Sequence, residues 1–281
     1  MRVAEAIRQA GHSIQHQLAL DISEANVEAN LLCQHLFNVN RAWLISHAND
    51  ALEANQQAAF EALVQRRLNG EPIAYILGSR EFYGLALKTT PATLIPRPDT
   101  ETLVEVALAK IPQNPSFNIL DLCTGTGAIA LAIASERTKT KVTAVDASAN
   151  ALNVALENAQ SLGLPNVRLI QSNWFSSLQG ERFDVIVSNP PYIAQDDEHL
   201  KLGDLRFEPL SALASGADGL DDIRKIIQDA PDYLNPNGWL FLEHGYDQAD
   251  AVAVLLKARG FSQIDHAIDI AGIRRVTFGA I

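Results

Sequence analysis

The tetrapeptide Asn189-Pro190-Pro191-Tyr192 offers the groups needed to hold a flat NH2 group. The side-chain carbonyl of Asn189 and the backbone carbonyl of Pro190 can each accept one of its two N–H bonds. Acceptors already in place stabilise charge as it develops on the nitrogen. Two consecutive prolines restrict the backbone so that both oxygens can face one point, and Tyr192 can stack on the planar group. Amide and aromatic amine nitrogens are poor nucleophiles because their lone pair is delocalised. Chemistry on them asks for a positioned electrophile more than for a strong base. The competing reading is a rigid loop with a partly buried tyrosine.

A second group of residues lies upstream. Asp121-Leu122-Cys123-Thr124-Gly125-Thr126-Gly127 follows a short apolar run and opens a helical pattern, the place where an open α/β sheet binds ligands at its carboxyl edge. The glycines let backbone approach a ligand closely. About twenty residues on, another apolar run ends at Asp146, whose carboxylate can accept both hydroxyls of a ribose. An adenosine-containing cofactor is implied. Gly125-Thr126-Gly127-Ala128-Ile129-Ala130 also fits the G-x-G-x-x-A form of a dinucleotide site, so the loop alone leaves the cofactor open. A tight turn without ligand, with Asp146 as a helix cap, is the structural alternative.

These residues need elements to position them. After Pro91, β-branched runs alternate with amphipathic segments, which predicts a mostly parallel sheet covered by helices on both faces. Strands are expected at 118–122, 141–145, 167–171, 183–188 and 238–243, and helices at about 127–137, 148–162, 220–234 and 248–259. Two final strands near 261–267 and 274–279 have no helix between them and must pair antiparallel. From Val3 to about Leu68 apolar residues recur at helical spacing, for example Leu31, Leu32, Leu36 and Val39, which predicts a small helical bundle. Asn69-Gly70 followed by Pro72 predicts its end. Domains are therefore expected at 1–70 and 91–281, with a bridging region at 71–90 in which the mixed stretch Ile73 to Lys88 suits a short hairpin.

Bulk properties narrow the choice. The formal net charge is −11; residues 1–90 carry 7 Lys+Arg against 9 Asp+Glu and residues 91–281 carry 15 against 24. This acidic balance argues against duplex nucleic acid as a direct partner, since such proteins neutralise phosphates with Lys and Arg. Only Cys33 and Cys123 occur, expected as free thiols, and the seven histidines show no metal-ligand spacing. No metal is expected. With neither an apolar run of membrane length nor a secretion signal, a cytoplasmic protein is expected.

Nearly the whole chain resembles the bacterial release factor glutamine N5-methyltransferases, within the class I S-adenosylmethionine methyltransferases. The likeness rests on the helical N-terminal part, Gly70-Glu71-Pro72-Ile73-Ala74-Tyr75-Ile76-Leu77-Gly78, Arg80-Glu81-Phe82-Tyr83-Gly84, Leu94-Ile95-Pro96-Arg97-Pro98-Asp99-Thr100-Glu101, the loop after Asp121, Asn189 to Tyr192, and Phe207-Glu208-Pro209. It implies an α/β, Rossmann-like class I methyltransferase fold with a mostly parallel sheet, an antiparallel last strand and a small N-terminal helical bundle that helps dock the substrate. It further implies S-adenosylmethionine as cofactor, leaving as S-adenosylhomocysteine. Cys123, Thr124, Gly125, Thr126 and Gly127 would cradle it, with Asp146 on the ribose, Trp174 beside the adenine and Asn189 touching both cofactor and substrate.

By the same resemblance Asn189, Pro190 and Tyr192 would be the catalytic residues. Asn189, Pro190, Pro191 and Tyr192 would hold the acceptor, a glutamine in the Gly-Gly-Gln motif of class I peptide chain release factors. The chain is expected to act as a monomer. It departs from the family pattern at Cys123, where glycine is usual, and at Asn173, where aspartate is common. Weaker or adapted cofactor binding is expected from the first. Arg97, Glu101, Glu243 and His244 are left without a role. Two other readings are an amino methyltransferase acting on adenine or guanine in RNA or DNA, which would need base flipping in a duplex, and a dinucleotide-binding or non-catalytic domain.

Overall fold

The computed structural model describes residues 1–113 and 116–281, which form two compact units. The first consists of Met1–Gly78 together with Lys201–Phe207, and the second of Ser79–Leu200 and Glu208–Ile281.

The first unit is built from helices α1 (Val3–Leu18), α2 (Ile22–Phe37), α3 (Arg41–Ser46), α4 (Ala54–Leu68) and α5 (Ile73–Leu77). Asp21 and Asn40 start α2 and α3 by accepting the backbone N–H of Ser23 and Trp43 at 2.7 and 3.0 Å. Their apolar stripes bury Ala6, Ala10, Ile14, Ala29, Leu32, Phe60 and Val64 in one core. Burying each of the larger side chains among these contributes about 1.5–3 kcal/mol. Arg67, near the end of α4, is buried against the Glu28 carboxylate, with N···O distances of 2.7 and 3.0 Å. It also reaches Asp204 at 3.2 Å and the Glu71 carbonyl at 3.1 Å. Gly70 turns the chain after α4 with φ +91°, a conformation that favours glycine; a Cβ there would meet only the flexible end of the exposed Arg206 side chain.

Two sequence expectations shift here. Ile73 to Leu77 do not join a hairpin: Pro72 starts and a left-handed Gly78 (φ +71°) ends a short helix that buries Ala74, Tyr75 and Ile76, so the first unit extends to residue 78. The hairpin itself is β1 (Ser79–Phe82) with β2 (Leu85–Lys88), antiparallel, in the second unit.

The second unit centres on a seven-stranded sheet of β3 (Asn118–Leu122), β4 (Lys141–Asp146), β5 (Val167–Gln171), β6 (Phe183–Ser188), β7 (Leu234–Glu243), β8 (Ser262–Ile268) and β9 (Arg274–Ala280). The spatial order is β5-β4-β3-β6-β7-β9-β8; the first five pair parallel, and β9 pairs antiparallel with both β7 and β8. Alternation along β6 shows why both faces are covered. Val185 and Val187 enter one core with Leu103 and Leu131, while Ile186 enters the other with Ile223, Ile226 and Val252. The covering helices are α6 (Glu101–Lys110), α7 (Ala128–Glu136), α8 (Ala149–Ser161), α9 (Asp221–Asp229) and α10 (Ala249–Ala258). α9 stops at Asp229, short of the expected Leu234, because Pro231 follows in a 3-10 turn, and β7 starts at Leu234 instead of Gly238. The strand order reverses between β3 and β6, so their carboxyl ends border a crevice at the switch point.

Candidate active site

The loop after β3 is held from three sides. Asp121, wholly buried, accepts Thr124 Oγ1 at 2.6 Å and the Ala130 backbone N–H at 3.2 Å. Asp146, at the end of β4, accepts the Gly125 N–H at 2.9 Å through one oxygen and the Ser148 N–H at 2.9 Å through the other. Asn158 Nδ2 donates to the Thr126 carbonyl at 2.9 Å. Burial pushes the Asp121 carboxyl up to about 7 and raises that of Asp146, against the backbone N–H groups that favour its charged form. Each carboxylate oxygen has more than one lone-pair site, so Asp146 can still accept ribose hydroxyls.

The glycines of the loop differ in what they do. Gly125 has φ +55° and nothing within 4 Å of where a Cβ would be, which leaves open space above the backbone. Gly127 (φ +85°) lies against the helix layer: a Cβ there would sit 3.0 Å from Leu131 Cδ1 and 3.3 Å from the Ala155 Cβ. Cys123 adopts φ +61°, a left-handed conformation that a side chain strains. Its thiol is raised well above the ordinary range, first by burial and then by the nearby Asp146 and Asp121 carboxylates.

Two cavities meet at Cys123. One, of about 160 Å³, is lined by Cys123, Asp146, Ser148, Asn173, Trp174, Pro191 and Asp222 among others. The other, of about 40 Å³, is lined by Cys123, Thr124, Gly125, Thr126, Asn189, Thr100 and Arg97 among others. The structure thus brings Cys123, Asp146, Trp174 and Pro191 together on one side, and Thr124 to Thr126 with Asn189 on the other. Gly127, Pro190 and Tyr192 line neither cavity. A larger cavity, of about 510 Å³, lies at the amino ends of β3, β4 and β6. It is not the favoured site, because the crevice of a parallel sheet and its helix N-termini lie at the other edge.

At the end of β6, Asn189 Nδ2 donates to Thr100 Oγ1 at 3.2 Å. Among the described residues no hydrogen bond is made to Asn189 Oδ1 or to the Pro190 carbonyl. Tyr192 donates its hydroxyl to Glu243 Oε1 at 3.3 Å, and its backbone carbonyl accepts from Gln248 Nε2 at 2.9 Å. Burial and the Glu243 carboxylate raise the Tyr192 hydroxyl far above its usual value. Arg97, beside the smaller cavity, pairs with the buried Glu208, which also accepts the Ile95 N–H at 3.0 Å. Sequence reasoning passed over Thr100, Arg97, Glu208 and Glu243. Only the fold brings Thr100 to Asn189, Arg97 to the cavity that Asn189 lines and Glu243 to Tyr192, although Arg97 and Thr100 share one sequence block.

The residues fit an adenosine-bearing cofactor by their chemistry: an acceptor carboxylate at a strand end, open space over Gly125 and an indole beside the same cavity. Among the described residues no group of His, Cys, Asp and Glu could hold a metal, and no helix is long and apolar enough to cross a membrane.

Comparisons with known proteins place the chain in a family. Residues 5–78 match the PrmC N-terminal domain family and residues 99–208 the Methyltransferase small domain family. The release factor glutamine methyltransferase of Salmonella typhimurium is 47% identical over 268 residues, 95% of this chain and 96% of its own. That of Vibrio cholerae is 50% identical over 252 residues, 89% of this chain and 87% of its own. A methyltransferase from Pyrococcus furiosus, 21% identical, covers 81% of this chain and 98% of its own with a TM-score of 0.53, which shows the shared fold. On near-half identity carried through both units, the chain belongs to the release factor glutamine methyltransferase family.

Proposed function

We propose that the chain transfers a methyl group from S-adenosylmethionine to the side-chain amide nitrogen (N5) of the glutamine in the Gly-Gly-Gln motif of class I release factors. The observation that carries this reading is Asn189, which lines the smaller of the two cavities that share Cys123 and whose Oδ1 accepts no hydrogen bond among the described residues, with the Pro190 carbonyl next to it in the chain. The cofactor supplies a methyl group made electrophilic by a sulfonium. The chain's own residues do the rest. Cys123, Thr124, Gly125, Thr126 and Gly127 form the turn around the methionine part, Asp146 takes the ribose and Trp174 flanks the adenine. Asn189 Oδ1 and the Pro190 carbonyl accept the two N–H groups of the substrate amide, while Pro191 and the Tyr192 ring hold its plane. Positioning against the donor can remove roughly 7–11 kcal/mol of barrier; S-adenosylhomocysteine would leave as the neutral thioether and one amide proton would be lost to solvent after the transfer, so no strong base is required. No metal takes part.

The two relatives described above are named for release factor glutamine, which favours that acceptor over adenine or guanine. The test is mass spectrometry of a purified class I release factor after incubation with the enzyme and S-adenosylmethionine. One added methyl on the Gly-Gly-Gln glutamine is expected. Transfer to RNA or DNA, with none to the release factor, overturns the assignment.

A further inference from the structure

We infer that Glu243 is a positioning residue for methyl transfer, acting through Thr100 to fix the Asn189 side-chain amide with its oxygen outward and through Tyr192 to hold the ring beside the acceptor. This rests on the reading of Asn189 as the amide acceptor.

An asparagine side chain can present either its oxygen or its NH2 to a substrate, and the two ends have nearly the same shape. A glutamine amide nitrogen brings only N–H donors, so an inward NH2 on Asn189 would meet donor with donor. Something must choose the orientation. Asn189 Nδ2 faces Thr100 Oγ1 at 3.2 Å, and Thr100 is buried, so the hydroxyl that accepts from Asn189 must pass its own proton to another acceptor. The Glu243 carboxylate, also buried, lies at the end of the neighbouring strand β7, and the Thr100 hydroxyl is among the groups that favour its charged form. Its Oε1 takes the Tyr192 hydroxyl at 3.3 Å, while Oε2 is buried without a hydrogen-bond partner among the described residues.

An ionised carboxylate can only accept. Its buried Oε2, without a hydrogen-bond partner among the described residues, is the acceptor open to the Thr100 proton; by taking that proton it would leave Thr100 Oγ1 to accept from Asn189 Nδ2 and turn Asn189 Oδ1 outward. A neutral group in its place can donate as well as accept, and the chain of polarity is no longer enforced. Burial pushes the Glu243 carboxyl up to about 7, so the ionised form is lost as pH falls through that region. The charged and titratable groups facing it are Tyr192, Arg275 on β9, which favours the charged form, and Asp99, which opposes it. Arg275 is itself shared with Asp269 at 3.1 Å and Asp99 at 3.6 Å.

The experiment compares Glu243→Gln, Thr100→Val, Thr100→Ser and the Glu243→Gln/Thr100→Val double variant. Glu243→Gln and Thr100→Val should each lower kcat by about 10- to 100-fold, the scale of a misplaced reacting group. The release-factor KM and the S-adenosylmethionine affinity should change by less than about threefold. The double variant should be no slower than the slower single one, because both changes cut one chain. Thr100→Ser, which keeps the hydroxyl, should restore most of the rate. Independently of any substrate, the Asn189 side-chain NH2 resonances, identified by their loss in Asn189→Ala, should move with pH around 7 in the parent protein and stay still in Glu243→Gln.

Unchanged kcat in both single variants, multiplying losses, or Thr100→Ser as slow as Thr100→Val overturns the inference. Should Glu243→Gln not fold, the Thr100 pair decides. Should the parent protein leave release factor unmethylated, the functional reading fails, and the Asn189 titration alone decides this inference.

Discussion

Asp146 Oδ2 accepts the Gly125 backbone N–H at 2.9 Å, which ties the end of β4 to the turn after β3 and fixes the carboxylate against the open space over that glycine. Asp146→Asn keeps one acceptor oxygen but exchanges the other for a donor. Loss of a charged hydrogen bond costs about 1.5–3 kcal/mol. S-adenosylmethionine affinity should fall about 10- to 100-fold by calorimetry. Parent-like binding would remove the ribose assignment.

At Asn189 the loss should fall on the chemical step. Asn189→Ala removes an acceptor placed for charge on the reacting nitrogen, and kcat should drop roughly 10²- to 10³-fold, the size seen when one such preorganised group is deleted. A release factor with glutamate in place of the acceptor glutamine should take no methyl, because the carbonyl acceptors would face a carboxylate. Single-turnover assays check both; parent-like activity of Asn189→Ala contradicts the mechanism.

Cys123 occupies a left-handed conformation where the two cavities meet. Cys123→Gly relieves strain of about 1 kcal/mol or more and clears space for the cofactor. It should raise the melting temperature and tighten S-adenosylmethionine binding. A titration showing no change in affinity would mean that the side chain does not crowd the ligand.

His244 gives the fold a dependence on pH. Its Nδ1 faces the Gly245 carbonyl at 2.9 Å and its Nε2 the Thr277 hydroxyl at 2.7 Å, an arrangement of the neutral ring. Burial lowers its value from 6.5 to about 4. The unfolded chain therefore binds the proton first as pH falls. The stability present above about pH 6.5 should decline progressively toward pH 4, by on the order of 3 kcal/mol. Denaturant titrations at several pH values should show this slope in the parent and a flatter one in His244→Gln.

In the helical unit, Arg67→Ala leaves the Glu28 carboxylate buried without its partner. Burial already raises the Glu28 carboxyl despite Arg67. Breaking such a pair costs about 3–5 kcal/mol, to be read from chemical denaturation. A loss below about 1 kcal/mol would place the pair among ordinary surface bridges.

Much of this architecture is legible in the residue pattern. The runs ending at Leu122, Asp146, Gln171 and Ser188 are strands because β-branched residues face cores on both sides, and that signal is local. The loop glycines and Asn189 to Tyr192 stand out for the same reason. The Tyr192 and Glu243 contact does not: it joins residues 51 apart through a strand order that no periodicity encodes. Gly127 is readable as a loop glycine, but only packing against Leu131 and Ala155 reveals why it must be one. Ile73 to Leu77 has the composition of a strand, and burial of one face against α2 and α4 makes it helical.

The helical unit is assembled from two separate stretches of chain, because Lys201–Phe207 belongs to it and supplies Asp204 to Arg67. A fragment starting at Ser79 would carry Asp204 but leave Arg67 behind. The two units are therefore not consecutive stretches of the chain. Grafting this bundle onto another enzyme by a single splice at one terminus would deliver it without its seventh-decade arginine's second anion, and a faithful transplant needs an internal exchange as well.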